Sequence, residues 1–406
     1  MFERTGGVQQ LVTHLHDGLV KKGHTVKIIT PKPSGFEGEV PPDTILLGTA
    51  SKFTPGLGTT GTWTFDISDK EVQALLDGEK FDVINFHEPW APILARQILN
   101  RSTEAHVATF HANLMDNMAA KSLVNVFLPY GRGIGRKMQV LTAVSPAPAA
   151  VLVDKANNHI DSRLVENIKY IPNGVDLKLY HPPKKRLPLN GPDTKTVVYV
   201  GRLEDRKGVD LLIKAFAELV KEMPHVYLTI AGEGKQRRQL EDLVETEKIE
   251  NVNFLGFVSD EQKRHLMGNA DLVCSPAMYG ESFGIVPLEA MAMGAPVIAG
   301  NNIGYKVVVK GIGRIGLVDA KSTSDFANRM SVILSEPPVQ NMLRRWGVDE
   351  AKQYDYPKII DQYEAAYIEA LKILNDFKKG RKEATKDAGS RRQKLVHRLS
   401  LRRQPR

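Results

Sequence analysis

The sequence predicts an α/β chain of two domains, each a mostly parallel sheet with helices on its faces. Three observations carry this. Short apolar runs alternate with helix-like stretches along most of the chain, the pattern of βαβ units. A polar, proline-bearing connector over residues 177–193 interrupts the pattern, which then begins again. At 406 residues, the chain is long enough to close a core in each half.

The first domain, residues 1–176, opens with a helix from Val8 to Lys22, ended by Gly23. Strands are expected at Thr25–Ile29, Phe81–Phe86, His106–Phe110, Leu141–Val144 and Lys169–Ile171. The turn Ile171-Pro172-Asn173-Gly174-Val175-Asp176 closes it, since Asn and Gly tolerate positive φ. The second domain, residues 194–355, starts with a strand at Thr196–Gly201. A helix Val209–Glu222, a strand Val226–Ala231 and a helix Lys235–Glu247 follow. Strands at Asn253–Leu255, Leu272–Cys274 and Pro296–Ala299 accompany a helix around Leu288–Met293. Late helices cover Ser324–Leu334 and Tyr356–Leu374, and the last, in residues 356–375, is expected to pack back towards the first domain. Domains of this kind normally begin with a buried strand that runs into a glycine turn. Here Gly6-Gly7 stand almost at Met1, so the expectation is a first strand lost to truncation or a misplaced start, or a divergent domain without one.

Composition narrows the class. Hydrophobic residues at 42% and charged residues at 25% are the balance of a soluble globular chain. No apolar run approaches the roughly 18 residues of a spanning helix, and the N-terminus has no apolar signal region. The single cysteine, Cys274, lies in an apolar run and reads as an inert core thiol, which fits a reducing cytoplasm. The net charge of +8 is unevenly placed: residues 377–406 hold twelve Lys/Arg against two Asp/Glu, leaving the rest at −2. This argues against a nucleic-acid-binding body and for a basic tail, residues 376–406. That tail reads as disordered at first and then helical over Gln393–Arg403, where Leu395, Val396, Leu399 and Leu401 interleave with Lys394, Arg398, Arg402 and Arg403. Such a segment suits an anionic membrane surface, with a solvated charged tail as the alternative. A second membrane candidate is Ser122–Arg136, apolar and then basic, unless it is an ordinary amphipathic helix edge.

The strongest chemical pattern lies between Ser275 and Gly300. It holds a glycine-rich turn, a helix starting near Ile285, and two carboxylates eight residues apart, Glu281 and Glu289. Free N–H groups at a helix start suit a diphosphate, and Gly280 and Gly284 let backbone approach closely. At 1.5 Å per residue, the carboxylates stand about 12 Å apart, able to hold sugar hydroxyls at either end of a diphosphate. A second pattern, Gly201-Arg202-Leu203-Glu204-Asp205-Arg206-Lys207-Gly208, follows a strand and precedes a helix. Arg202 and Lys207 there are either solvated loop residues or positive charge for a phosphate, for which no metal need be invoked. Gly6-Gly7-Val8-Gln9-Gln10 is a third, weaker turn before a helix. His111 and the loop His87-Glu88-Pro89-Trp90-Ala91-Pro92 follow strands; each is a ligand-facing group or a packed structural one.

The Ser275–Gly300 segment resembles the Glu-x7-Glu signature of retaining glycosyltransferases with the double-Rossmann GT-B fold, glycosyltransferase family 4 type. The resemblance spans Gly6 to about Leu371, with the Gly-Arg-Leu…Lys-Gly pattern intact. It implies two Rossmann-like domains facing across a cleft. It also implies that Glu281 touches donor-sugar hydroxyls, Glu289 binds the ribose, and N–H groups of Ser282, Phe283, Gly284 and Ile285 hold phosphate. Gly6, Gly7 and Gly201 would line the donor site, His111 would act near the donor sugar with Arg202, Lys207 and Glu281, and His87 and Glu88 would stand on the acceptor side. His87-Glu88-Pro89…Ala91-Pro92, Ala108-Thr109-Phe110-His111 and Lys121-Ser122-Leu123…Val126-Phe127 look like the phosphatidylinositol mannosyltransferases. That similarity implies transfer of mannose from GDP-mannose to phosphatidylinositol, with no cofactor beyond the donor, by an enzyme peripheral on the inner face of the cell membrane. Transfer from a UDP-sugar to a soluble glycan, or nucleotide-sugar binding without turnover, are the alternatives.

Overall fold

The computed structural model describes residues 6–53, 61–65, 67–89, 94–112, 134–135, 137–149 and 166–401. Candidate segments Trp90-Ala91-Pro92, Lys121-Ser122-Leu123, Val126-Phe127 and most of Ser122–Arg136 lie outside them, as does the chain before Gly6. Among the described residues no helix is long and apolar enough to cross a membrane.

The first domain starts with helix α1 (Gly7–Lys21), which buries Leu11, Leu15 and Leu19 at helical spacing and ends where Gly23 takes φ +95°. The first strand, β1 (Ile28–Pro33), begins three residues later than the sequence suggested, because residues 22–27 turn the chain out of α1. It pairs in parallel with β2 (Thr44–Phe53), which pairs antiparallel with β3 (Gly61–Phe65). Helix α2 (Asp69–Glu79) begins in a Ser68/Glu71 capping box. Then come β4 (Val83–His87), α3 (Leu94–Arg101), β5 (Ala105–Phe110), β6 (Val140–Ala143), α4 (Pro146–Ala149) and β7 (Lys169–Tyr170). Strands β4-β5-β6-β7 form a second, all-parallel sheet.

The second domain is one six-stranded parallel sheet in the order β10-β9-β8-β11-β12-β13. Its elements are β8 (Lys195–Val200), a 3-10 turn Asp205–Lys207, α5 (Val209–Glu222), β9 (Val226–Ala231), α6 (Arg237–Thr246), β10 (Val252–Gly256) and α7 (Asp260–Asn269). They continue with β11 (Leu272–Ser275), α8 (Ile285–Ala292), β12 (Val297–Gly300), α9 (Tyr305–Val308), β13 (Leu317–Val318), α10 (Thr323–Ser335) and α11 (Pro337–Ala351). The central strands are buried on both faces, as the continuous apolar runs Val197–Tyr199 and Leu272–Cys274 require. Strand order reverses between β8 and β11, which is where an open parallel sheet leaves a crevice at its carboxyl ends.

The last helix, α12 (Tyr356–Leu401), returns to the first domain: Tyr356, Ile359, Ile360, Tyr363, Ala366 and Ala370 share a core with Leu11, Leu15, Val107 and Val140. The chain crosses between domains where Val175 and Tyr356 exchange backbone hydrogen bonds with Tyr354 and Val175. Gly174 is needed here, since a Cβ would lie 2.5 Å from the Tyr356 ring. The tail differs from its sequence reading: the backbone stays helical without a break from Tyr356 to Leu401, so no disordered stretch separates body from basic segment. Good helix formers such as Lys, Arg, Glu and Ala outnumber Gly380 and Gly389 there.

Candidate active site

The crevice of the second domain gathers its charges at the switch point. After β8 the chain turns at Gly201 (φ +158°), then tightens into the 3-10 turn Asp205–Lys207, closed by Gly208 at φ +65°. A Cβ on Gly208 would meet the carbonyl oxygen of Pro276 at 2.9 Å, so this turn and the segment after β11 are packed backbone to backbone. The result is that Arg206 and Lys207 both reach Glu281: Arg206 Nη1 donates to Glu281 Oε1 at 2.6 Å and Lys207 Nζ donates to the same oxygen at 2.7 Å. All three side chains are more than four-fifths buried. Arg202 stands apart, more than half exposed, with Nη1 2.6 Å from Glu204 Oε1; Glu204 also accepts from Arg206 Nε at 3.2 Å. Of the two cations expected from the sequence, Lys207 meets Glu281 and Arg202 does not; Arg206, which the sequence reading did not single out, joins Lys207 there. Its signal was present in the dipeptide Arg206-Lys207 just before the helix-starting glycine, but a lone position in a loop gave no reason to choose it.

Gly284, with φ +107°, opens α8; a Cβ there would stand 2.8 Å from the Tyr305 ring. The start of α8 lies beside the start of α1: a Cβ on Gly7 would be 2.5 Å from Ile285 Cδ1. The glycine pair Gly6-Gly7 therefore permits two helix N-termini to meet across the domains. Such ends carry unpaired N–H groups and the positive ends of helix dipoles, a setting for an anion. The domains also touch where Ser145, following β6, donates its hydroxyl to the carbonyl oxygen of Ser282. Phe283 packs its buried ring edge-on against Tyr354.

Glu289, on α8, is 4% exposed. Its Oε1 accepts from Lys263 Nζ at 2.8 Å, and that ammonium stands 5.3 Å from the centre of the Tyr180 ring. Burial pushes the Glu289 carboxyl up while Lys263 draws it down; the paired carboxylate holds the Lys263 ammonium well above its ordinary range. Lys263 is a second group that the sequence left unassigned; it comes from α7, far from any motif.

The wall contributed by the first domain is of another kind. Strands β4 and β5 align His87 with Thr109, and β5 and β6 align Thr109 with Thr142. Residues two apart on a strand share a face, so Asn85, His87, Thr109, His111 and Thr142 lie together. His87 Nδ1 is 2.9 Å from His111 Nε2, with the rings stacked 5.2 Å apart. Glu88, held at φ +54°, turns its carboxylate onto backbone: Oε1 accepts from the N–H of His111 and from that of Ala112 at 2.5 Å. Burial lowers the His87 imidazole to about 4, lowers His111 well below its ordinary value, and raises the Glu88 carboxyl to about 7 against those two N–H groups. The histidines are thus neutral rings. Cys274, by contrast, is fully buried in β11, its thiol pushed far up, and takes no part. Among the described residues no three His, Cys, Asp or Glu gather in a form that could hold a metal ion.

Residues 5–179 match the family described as Glycosyltransferase Family 4, and residues 184–350 match Glycosyl transferases group 1. A phosphatidyl-myo-inositol mannosyltransferase of Propionibacterium freudenreichii is 31% identical over 375 residues, 90% of this chain and 92% of its own. The chain belongs to the family 4 glycosyltransferases. A relative of the same name from Mycobacterium leprae is 29% identical over 375 residues, 90% of this chain and 94% of its own. Among solved structures, a sucrose-phosphate synthase of Thermosynechococcus elongatus superposes with a TM-score of 0.70 at 24% identity, over 90% of this glycosyltransferase and 94% of that chain, which shows the shared GT-B fold.

Proposed function

We propose that this glycosyltransferase moves mannose from GDP-mannose onto the inositol ring of phosphatidylinositol, with retention of anomeric configuration, at an anionic membrane surface. The observation that carries the reading is the meeting of Glu281, Arg206 and Lys207 at the switch point, beside two abutting helix starts. The choice of sugar and acceptor rests on relatives of that name matching 90% of the chain.

In this reading the donor diphosphate lies against the N–H groups of Ser282–Ile285 and the glycine turn Gly6-Gly7. Arg206 and Lys207 turn part of their charge from Glu281 to the phosphate oxygens as the sugar–phosphate bond breaks. Charge fixed in a water-poor site stabilises that leaving group by about 2–4 kcal/mol per donor. Glu281 accepts from sugar hydroxyls, Glu289 from the ribose, and His111 contacts the sugar from the opposite wall. The inositol hydroxyl oxygen bonds to the anomeric carbon on the face the diphosphate leaves, and its proton passes to the departing phosphate oxygen. Arg202, on the rim, adds to the field without touching Glu281. His87 and Glu88 shape the acceptor side. In this reading the basic segment of α12 serves to meet anionic lipid at the inner face of the membrane, each Lys or Arg near the surface contributing about 1 kcal/mol.

The test is transfer of label from GDP-mannose to phosphatidylinositol in anionic vesicles, with UDP-sugars in parallel. Labelled lipid from GDP-mannose alone is the expected result. Transfer from a UDP-sugar instead would retain the family and overturn the mannose assignment; no transfer by folded protein from any of these donors would overturn the proposed reaction.

A further inference from the structure

A chain of hydrogen bonds runs along one face of the first domain's sheet to His111, and its direction can be worked out atom by atom. Thr142 Oγ1 lies 2.8 Å from Thr109 Oγ1, which lies 2.9 Å from Asn85 Oδ1. An amide oxygen only accepts, so the Thr109 hydroxyl donates to Asn85 and receives the proton of Thr142. The Asn85 amide nitrogen has two hydrogens. One goes to the Tyr367 hydroxyl of α12 at 2.8 Å, the other to His87 Nε2 at 3.2 Å. His87 Nε2 is therefore a lone pair. A neutral imidazole then carries its proton on Nδ1, which faces His111 Nε2 at 2.9 Å. His111 Nε2 must accept, and the one proton of a neutral His111 ring sits on Nδ1.

We propose that Asn85 and His87 are positioning residues that fix His111 as its Nδ1–H tautomer. His111 then meets the donor sugar as a hydrogen-bond donor through Nδ1, with its other nitrogen committed to His87; this deepens the role given to His111 above and rests on that reading. Burial keeps both rings neutral, which the chain of single protons requires. Glu88 completes the arrangement from the backbone side by holding the N–H groups of His111 and Ala112. The controlling element is the amide of Asn85, which lies between the hydroxyls of Thr109 and Tyr367 with its nitrogen towards Tyr367 and His87. Turned over, it would accept from His87 and reverse both rings. Thr109 lies within the Ala108–His111 motif, but Asn85, Thr142 and Tyr367 belong to none; the strand register and the return of α12 bring the four together.

The experiment is long-range proton–nitrogen NMR on the full-length protein with ring-labelled histidine, assigned by His87 and His111 substitutions, together with steady-state transfer and GDP titration. The wild type is expected to show both rings neutral at pH 7, with Nδ1 protonated in each. Asn85→Asp replaces the donor by an acceptor and is expected to move the His111 proton to Nε2. It should lower kcat ten- to a hundredfold while GDP affinity stays within twofold. Should the buried carboxylate prevent folding, His87→Gln serves instead. It frees His111 from its imidazole donor, so a mixture of tautomers and a smaller fall in kcat are expected. Wild-type His111 protonated on Nε2, or a tautomer and kcat unmoved in the variants, would overturn the proposal. Because the NMR readout needs no substrate, failure of the mannosyl-transfer reading would be seen separately, as absent turnover in a wild type whose tautomers are as assigned.

Discussion

On the second domain's wall of the cleft, Glu281, Glu289, Arg206, Lys207 and Lys263 are joined as ion pairs. On the first domain's wall, Asn85, His87, Glu88 and His111 are joined by hydrogen bonds among neutral rings, an amide and backbone. The difference follows from what each wall is built on. The charged wall sits at the end of tight glycine turns, where, on the proposed function, a diphosphate exchanges places with Glu281 on the cations. The neutral wall lies on a sheet face roofed by α12, where a net charge would have cost several kcal/mol to bury. A nucleotide sugar has the same division, anionic at the diphosphate and neutral at the hexose, so the two walls suit its two halves.

That comparison can be broken most sharply at Glu281. Glu281→Ala is expected to lower transfer about a thousandfold with the fold retained, since Arg206 keeps Glu204 as a partner; near-normal turnover would remove Glu281 from the site. The next test separates two arginines that the sequence did not. Arg206→Ala should lower transfer about a hundredfold and Arg202→Ala, on the exposed rim, less than tenfold; the reverse order would make Arg202 the cation that serves the diphosphate.

The neutral wall makes a pH prediction. Burial holds the folded Glu88 near 7, above its unfolded value, so its contribution to stability is full below about pH 4.5 and is lost as pH rises through 7. The depressed His87, near 4, acts in the opposite sense: its contribution is full above about pH 6.5 and is lost as pH falls towards 4. Glu88→Gln keeps an oxygen for the two N–H groups and removes only the first effect. Measured from pH 5 to 7, its Tm should rise relative to wild type, by the equivalent of roughly 3 kcal/mol at most; parallel Tm curves would contradict the buried, titrating carboxyl. The smallest effect is expected from removing residues 377–406. On the proposed membrane role this weakens vesicle binding in a salt-sensitive way and leaves GDP affinity unchanged, as read by vesicle sedimentation at two salt concentrations.

Much of the second domain was legible because its signals are local. Glycines at positive φ, the apolar runs of β8 and β11, and two glutamates eight residues apart all lie within short stretches. The helix α11 and the capped α7 were not foreseen, nor was Lys263, whose value to Glu289 depends on α7 packing over α8. In the first domain β2, α2 and α3 were missed, although α2 buries Val72 and Leu76 and α3 buries Ile98 and Leu99; both helices are short. Asn85 and Thr142 were missed for a different reason: a polar residue inside an apolar strand has no meaning until the register places it opposite another. His111 was found only because it resembled a family position, and its partner His87 was found as a motif residue rather than as a hydrogen-bonded neighbour.

The division of labour between the walls is tested most directly by titrating GDP into Lys207→Ala and His111→Ala side by side with wild type, transfer being measured on the same preparations. The account predicts that Lys207→Ala weakens GDP at least tenfold, while His111→Ala binds GDP within about twofold of wild type and still loses transfer. Equal loss of GDP affinity in both variants, or loss in His111→Ala alone, would contradict it.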